Sequence, residues 1–226
     1  MSIEEKENII FGRWKERRPN LIRDGVINTV EYSSSNPKLL FLLKEPNSNE
    51  SNWTLIDFIK RGAQSSTWDN ITRWIFGIRN LKKDIPWNDL SEVSSDQRKQ
   101  LLNAVAVMNL KKTPGGGVTS EKELERFTSE DRDYLIDQFS LYNDHQSIQL
   151  TICCGSLVAW LFDLFVSYNQ NKWESTFNGI PYREYQAGKF AIAYTHPEAR
   201  VADNILYYPL IHAIKEILSK KGVQFG

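Results

Sequence analysis

The chain has 226 residues, 41% of them hydrophobic and 25% charged, with 28 basic and 28 acidic side chains. That is enough apolar material for a sizeable core and suits one α/β domain, which excludes a disordered chain. A net charge of zero excludes a global positive field, so any contact with nucleic acid has to come from local basic patches.

The N-terminus, MSIEEKENII, has no basic segment followed by an apolar one, so no secretory signal is expected. A helical segment is expected over roughly residues 1–30. The turn cluster SSSNP (33–37) precedes the first strong strand, KLLFLLK (38–44). Apolar residues at three- and four-residue spacing then predict two short helices across 52–78. Ser94 with Gln97 has the pattern of a capping box, and the helix it opens runs into AVAVMNL (104–110), where a change from helix to strand is expected.

TPGGG (113–117) reads as a loop. Ser120 and Glu123 predict a second capping box and a long helical region to about residue 145. IQLTICC (148–154) is a third strand, left through Gly155 and Ser156 into an amphipathic helix over 157–168. The longest apolar run, 157–166, is too short to span a membrane and contains Asp163. PYREYQAGKFAIAYT (181–195) reads as a strand pair turning at Ala187–Gly188. Asp203 is placed to cap a final helix reaching about Lys220. The chain is therefore expected to be cytoplasmic and monomeric, with no membrane contact.

Cys153 and Cys154 are adjacent in a β-like run, so they point to opposite faces and are expected to fill core rather than form a disulfide. His145, His196 and His212 are not spaced as a metal site, and no metal or organic cofactor is expected. Apolar runs separated by helices predict a three-layer α/β/α fold around a central, mostly parallel, four-stranded sheet. In such sheets ligands sit beyond the carboxyl ends of the strands. The informative residues are those that follow each strand: KEPN, NLKKTPGGG, GS and THPEAR.

Read in that order, LLFLLKEPN, AVMNL, TICCGS and YTHPEAR resemble the strand-end motifs of the uracil-DNA glycosylase superfamily, over residues 38–200. The resemblance implies that fold over residues 1–226, and hydrolysis of the N-glycosidic bond of a damaged or modified base in DNA after base flipping. Members usually begin the first motif with glycine, where this chain has Leu43, and many carry glutamine or glutamate where it has Lys44. The loop after the histidine is often Ser-Pro and a bulky residue; here it is Glu198, Ala199 and Arg200.

The resemblance implies the following roles. Glu45 positions water or stabilises positive charge building on the sugar, although it is one methylene longer than the usual Asp. His196 donates a hydrogen bond to the departing base, its backbone fixed by Pro197. Asn109 reads the base edge, with Asn47 as its closest rival, and Trp53 offers a face for stacking ahead of Trp68 and Trp74. Arg200 fills the gap left by the flipped nucleotide. Apart from the resemblance, which offers no equivalent of TPGGG, the glycine amides with Lys111 and Lys112 read as phosphate contacts, and Ser156 as an N-cap or a phosphate contact through its hydroxyl and backbone amide. Two other readings stand beside this one. The first is a nucleic-acid or nucleotide binding protein that has lost hydrolysis, which Leu43 and Lys44 favour. The second is an α/β hydrolase using Ser156, although the Gly-x-Ser-x-Gly elbow is missing.

Overall fold

The computed structural model describes residues 1–47, 53–115, 120–166 and 172–225, and only the backbone of residues 145 and 146. Among the described residues the strands form one seven-stranded mixed sheet in the order β1-β3-β2-β4-β7-β6-β5. Its middle is parallel: β3 (Ala106–Asn109), β2 (Leu39–Leu43), β4 (Leu150–Cys154) and β7 (Lys189–Tyr194). One edge is β1 (Gly25–Val26), antiparallel to β3. The other is the antiparallel pair β6 (Pro181–Gln186) and β5 (Glu174–Ser175).

The expected four-stranded sheet is thus corrected to seven strands, of which the parallel middle accounts for four. The edge strands β1 and β5 have two residues each, too few for any alternation of apolar and polar side chains to show. The chain does turn at Ala187–Gly188, and Gly188 has the positive φ (71°) that the tight turn demands.

Every residue of β2, β3 and β4 is buried, because helices cover both faces of the parallel middle. On one face Leu39, Phe41, Val107, Ile152 and Cys154 pack against α3 (Leu55–Lys60), α4 (Ser66–Arg79) and α9 (Asp203–Lys221). On the other, Leu40, Leu42, Met108 and Cys153 pack against α1 (Ile3–Arg17), α6 (Glu121–Glu130), α7 (Arg132–Gln146) and α8 (Ser156–Phe165). Both thiols are buried and free, one in each layer, and burial pushes both well up from the usual thiol range. Two further helices, α2 (Thr29–Ser34) and α5 (Ser95–Leu102), complete the connections.

Local chemistry sets several boundaries. Ser94 and Gln97 do form the reciprocal capping box of α5, and Ser2 with Glu5 does the same for α1. Ser120 caps α6 by accepting from the Glu123 N–H at 3.2 Å. The N-terminal region is not helical through residue 30: α1 ends at Arg17 and β1 intervenes before α2. The helical region before β4 divides at Asp131 into α6 and α7. The cap of α9 is Ala202 and not Asp203, whose carboxylate accepts from Asn70 and Arg73 of α4. Among the described residues no helix is long and apolar enough to cross a membrane.

Candidate functional site

The carboxyl ends of β3, β2, β4 and β7 lie side by side. Leu43 is level with Asn109, Leu42 with Cys153 and Cys154 with Tyr194. Backbone bonds continue past the strands: Lys111 N–H to Lys44 O (2.9 Å), Gly155 N–H to Tyr194 O (2.7 Å) and Gly115 N–H to Pro46 O (3.1 Å). Glu45, Lys111, Ser156 and His196 are each the second residue past the end of their strand. The helices between β2 and β3 cover one face, and those between β3 and β4 cover the other. The strand order therefore reverses at β2 and β4, and the crevice this opens lies between Lys44 and Gly155.

On the β7 side, half-buried His196 accepts at Nδ1 from the Glu198 N–H at 3.1 Å. A backbone N–H can only donate, so the neutral ring carries its proton on Nε2, the atom left to donate outward. Burial lowers the imidazole from its ordinary value. Glu198 opposes that and the nearby Lys44 ammonium adds to it, so the ring is neutral near pH 7. The loop that carries it is tied down. Pro197 O accepts from Asn70 Nδ2 (2.8 Å), and the Glu198 carboxylate accepts from Ser66 and Thr67 (3.0 Å each) at the start of α4.

Lys44, which the sequence reading left without a ligand role, is half-buried and crosses Gly155. A Cβ built on Gly155 would lie 3.7 Å from Lys44 Cε. Gly155 has φ of 131°, a conformation open to glycine, and this lets the chain turn from β4 directly into α8. Ser156 is exposed at the first position of that helix, where free backbone N–H groups and the helix dipole favour negative charge. Arg200 is exposed, with the partly exposed Val201 and Ile205 close by in the chain.

The β3 side is different. Lys111 is buried and bonds both Glu45 (2.8 Å) and Glu123 (3.0 Å); burial alone would lower its ammonium, but these two carboxylates outweigh it and raise it. The Glu45 side chain is 9% exposed, and its carboxylate lies so close over Gly115 that a Cβ there would come within 2.0 Å of it. Lys112 is completely buried and bonds Asp24 at 2.6 and 2.7 Å. Burial pulls its ammonium down and Asp24 holds it up. Assigning Lys111 and Lys112 to phosphate contact is therefore corrected: both ammoniums are buried and spent on carboxylates of this chain.

Asp24 is the hub that sequence reasoning missed. Besides Lys112 it accepts from Asn109 N–H (2.7 Å), Asn109 Nδ2 (3.1 Å) and Gln138 Nε2 (2.9 Å). Gln138 also bonds Tyr142, whose hydroxyl donates to Glu7 (2.6 Å). Asn109 is 1% exposed, its amide nitrogen is committed to Asp24, and Oδ1 is the atom without a partner among the described residues.

Asn47 is exposed. Trp53 is half-buried, tilted against Phe58 at 5.6 Å, and packs on the core, where Trp68 and Trp74 are buried. His212 is exposed on α9, while the side chain of His145 and residues Gly116 and Gly117 of the glycine loop lie outside the described residues. Neither a family model nor a curated protein matches the chain.

Proposed function

We propose that this protein is a uracil-DNA glycosylase-like enzyme that hydrolyses the N-glycosidic bond of a damaged or modified base in DNA after the base is flipped out. The observation that carries this is the pairing of Lys44 with a neutral His196 at the crevice where the strand order reverses, beside the open N-terminus of α8. Such a site supplies cationic charge and a directed N–H donor to a group that becomes negative. A base leaving C1′ with the bonding electron pair is such a group.

In this mechanism the C1′–N bond breaks and the pair moves onto the base. His196 Nε2–H donates to a base carbonyl, and Lys44 offsets the developing charge. The cation left on the sugar is stabilised by the Glu45 side chain, which Lys111 keeps in place. Water adds to C1′ and its proton is lost to solvent. Ser156 and Arg200 remain the DNA contacts, Arg200 as the side chain that fills the opened stack. Asn47 is open to meet the base, whereas Asn109, buried with its amide nitrogen on Asp24, is not.

The Glu45–Lys111 pair specifically favours the second reading, binding of nucleic acid or nucleotide without hydrolysis. A carboxylate 9% exposed and held by an ammonium at 2.8 Å is poorly placed to activate water. One experiment separates the two. Labelled oligonucleotides carrying uracil, hypoxanthine, xanthine, thymine mismatches or hydroxymethylated cytosine, single- and double-stranded, are incubated with protein and treated with alkali. Hydrolysis predicts cleavage of at least one, lost in Glu45→Gln and in His196→Ala. No cleavage with salt-sensitive binding would replace the enzyme with the binding protein.

A further inference from the structure

The amino ends of β2, β4 and β7 line a second cleft, of about 520 Å³, at the opposite end of the sheet from His196. Five-residue strands put the two ends about 16 Å apart, so one small ligand cannot span both. Lys38, Gln149 and Lys189 precede or begin the three strands. Backbone bonds from Gln149 N–H to Lys38 O (3.0 Å) and Phe190 N–H to Gln149 O (3.0 Å) fix them side by side. Ser34, Ser35 and Ser147 complete the polar wall.

Each lysine is held in place by carbonyl oxygens. Lys38 Nζ donates to Ser33 O (2.9 Å) and Ser35 O (3.1 Å). Lys189 Nζ donates to Asn143 O and Oδ1 (3.0 Å each). An ammonium has three N–H groups, so one remains on each. Both are half-buried, and burial lowers both; Asp144 partly offsets this for Lys189. The lysines near the other end of the sheet, Lys111 and Lys112, are bonded to carboxylates, whereas these two bond carbonyls in a cleft of ligand size.

We infer that this cleft is a phosphate-binding site for a small phosphomonoester, separate from the candidate active site. Two fixed ammoniums match a phosphate carrying close to two negative charges better than they match a single carboxylate. The volume leaves room for the rest of a nucleotide-sized molecule.

The test titrates the full chain in phosphate-free buffer with inorganic phosphate and with AMP, followed by calorimetry and by amide NMR shifts at Ser147 and Gln149. Saturable binding of phosphate, displaced by AMP, is expected. Lys38→Met and Lys189→Met should each weaken it about tenfold, the scale of one charge-assisted hydrogen bond. Lys44→Met and His196→Ala should leave it unchanged. Lys189→Gln, which can still bond Asn143, and Lys38→Arg separate lost charge from lost fold: the first should weaken binding and the second keep it. Tighter AMP than phosphate assigns the ester, and equal affinity assigns the free ion. Absence of saturable binding in the millimolar range overturns the inference. So does binding that survives both methionine variants and disappears in Lys44→Met.

Discussion

The two halves of the strand-end row use the same kinds of residue for opposite ends. Beside β3, Glu45, Lys111, Lys112, Asn109 and Asp24 satisfy one another in the interior, and little donor capacity is left for anything outside. Beside β4 and β7, Lys44, Ser156 and His196 keep theirs: His196 is fixed in orientation by a bond to the nitrogen that does not face outward. A charged side chain after a strand is thus not by itself a ligand contact. What separates the halves is whether a buried counter-charge reaches it first.

The contrast is broken most severely by Lys112→Met, which strands Asp24 in the interior. It should cost about 3–5 kcal/mol in chemical denaturation, and the double variant with Asp24→Leu should cost less than that single change. A loss under about 1 kcal/mol would show that the pair does not hold the β3 half together.

Next in size, Lys44→Met on the open half should change stability by no more than about 0.5 kcal/mol. It should lower base release about 10²- to 10³-fold on whichever oligonucleotide the wild type cleaves. Equal losses of stability in Lys44→Met and Lys112→Met would erase the distinction between the halves.

Gly115→Ala forces a Cβ into the space of the Glu45 carboxylate and should destabilise by about 1–3 kcal/mol while displacing Glu45 from Lys111. A variant as stable as wild type would mean that the Glu45 carboxylate gives way to the new Cβ without cost.

The smallest effect concerns His196. Its folded-state value lies below the ordinary 6.5, so the folded protein takes up that proton less readily than the unfolded chain. Its contribution to stability is therefore complete above about pH 6.5 and is lost as the pH falls below it. NMR titration should place the ring below 6.5, move it up in Lys44→Met and further down in Glu198→Gln. The last change costs about 0.5 kcal/mol through the start of α4. An unmoved midpoint in both variants would remove Lys44 from the neighbourhood of His196.

Much of the open half was legible. A buried parallel strand announces itself as an apolar run, and LLFLL, AVMN and LTICC all are strands; the residues after them could then be read in order. His196 and Pro197 stood out because an imidazole and a fixed backbone follow such a run directly. The closed half was not legible. Asp24 and Lys112 are 88 residues apart, and nothing in either local stretch, LIRDGVI or NLKKTP, names the other as a partner. Their burial depends on β1, whose two residues give no pattern, pairing with β3. The opposite polarity of Lys44 and Lys111, one open and one paired, rests on where Glu45 and Glu123 of α6 come to lie, a long-range outcome that neither residue's neighbours encode.

The adjacent thiols of β4 give the molecule a built-in pair of reporters. Because alternation along the strand sends Cys153 into one layer and Cys154 into the other, alkylation by a small reagent registers the opening of each layer separately, without introduced labels. Mass spectrometry of the peptide that contains both, sampled over time, would read whether the helices covering one face detach before those covering the other, or whether both come away in a single cooperative event.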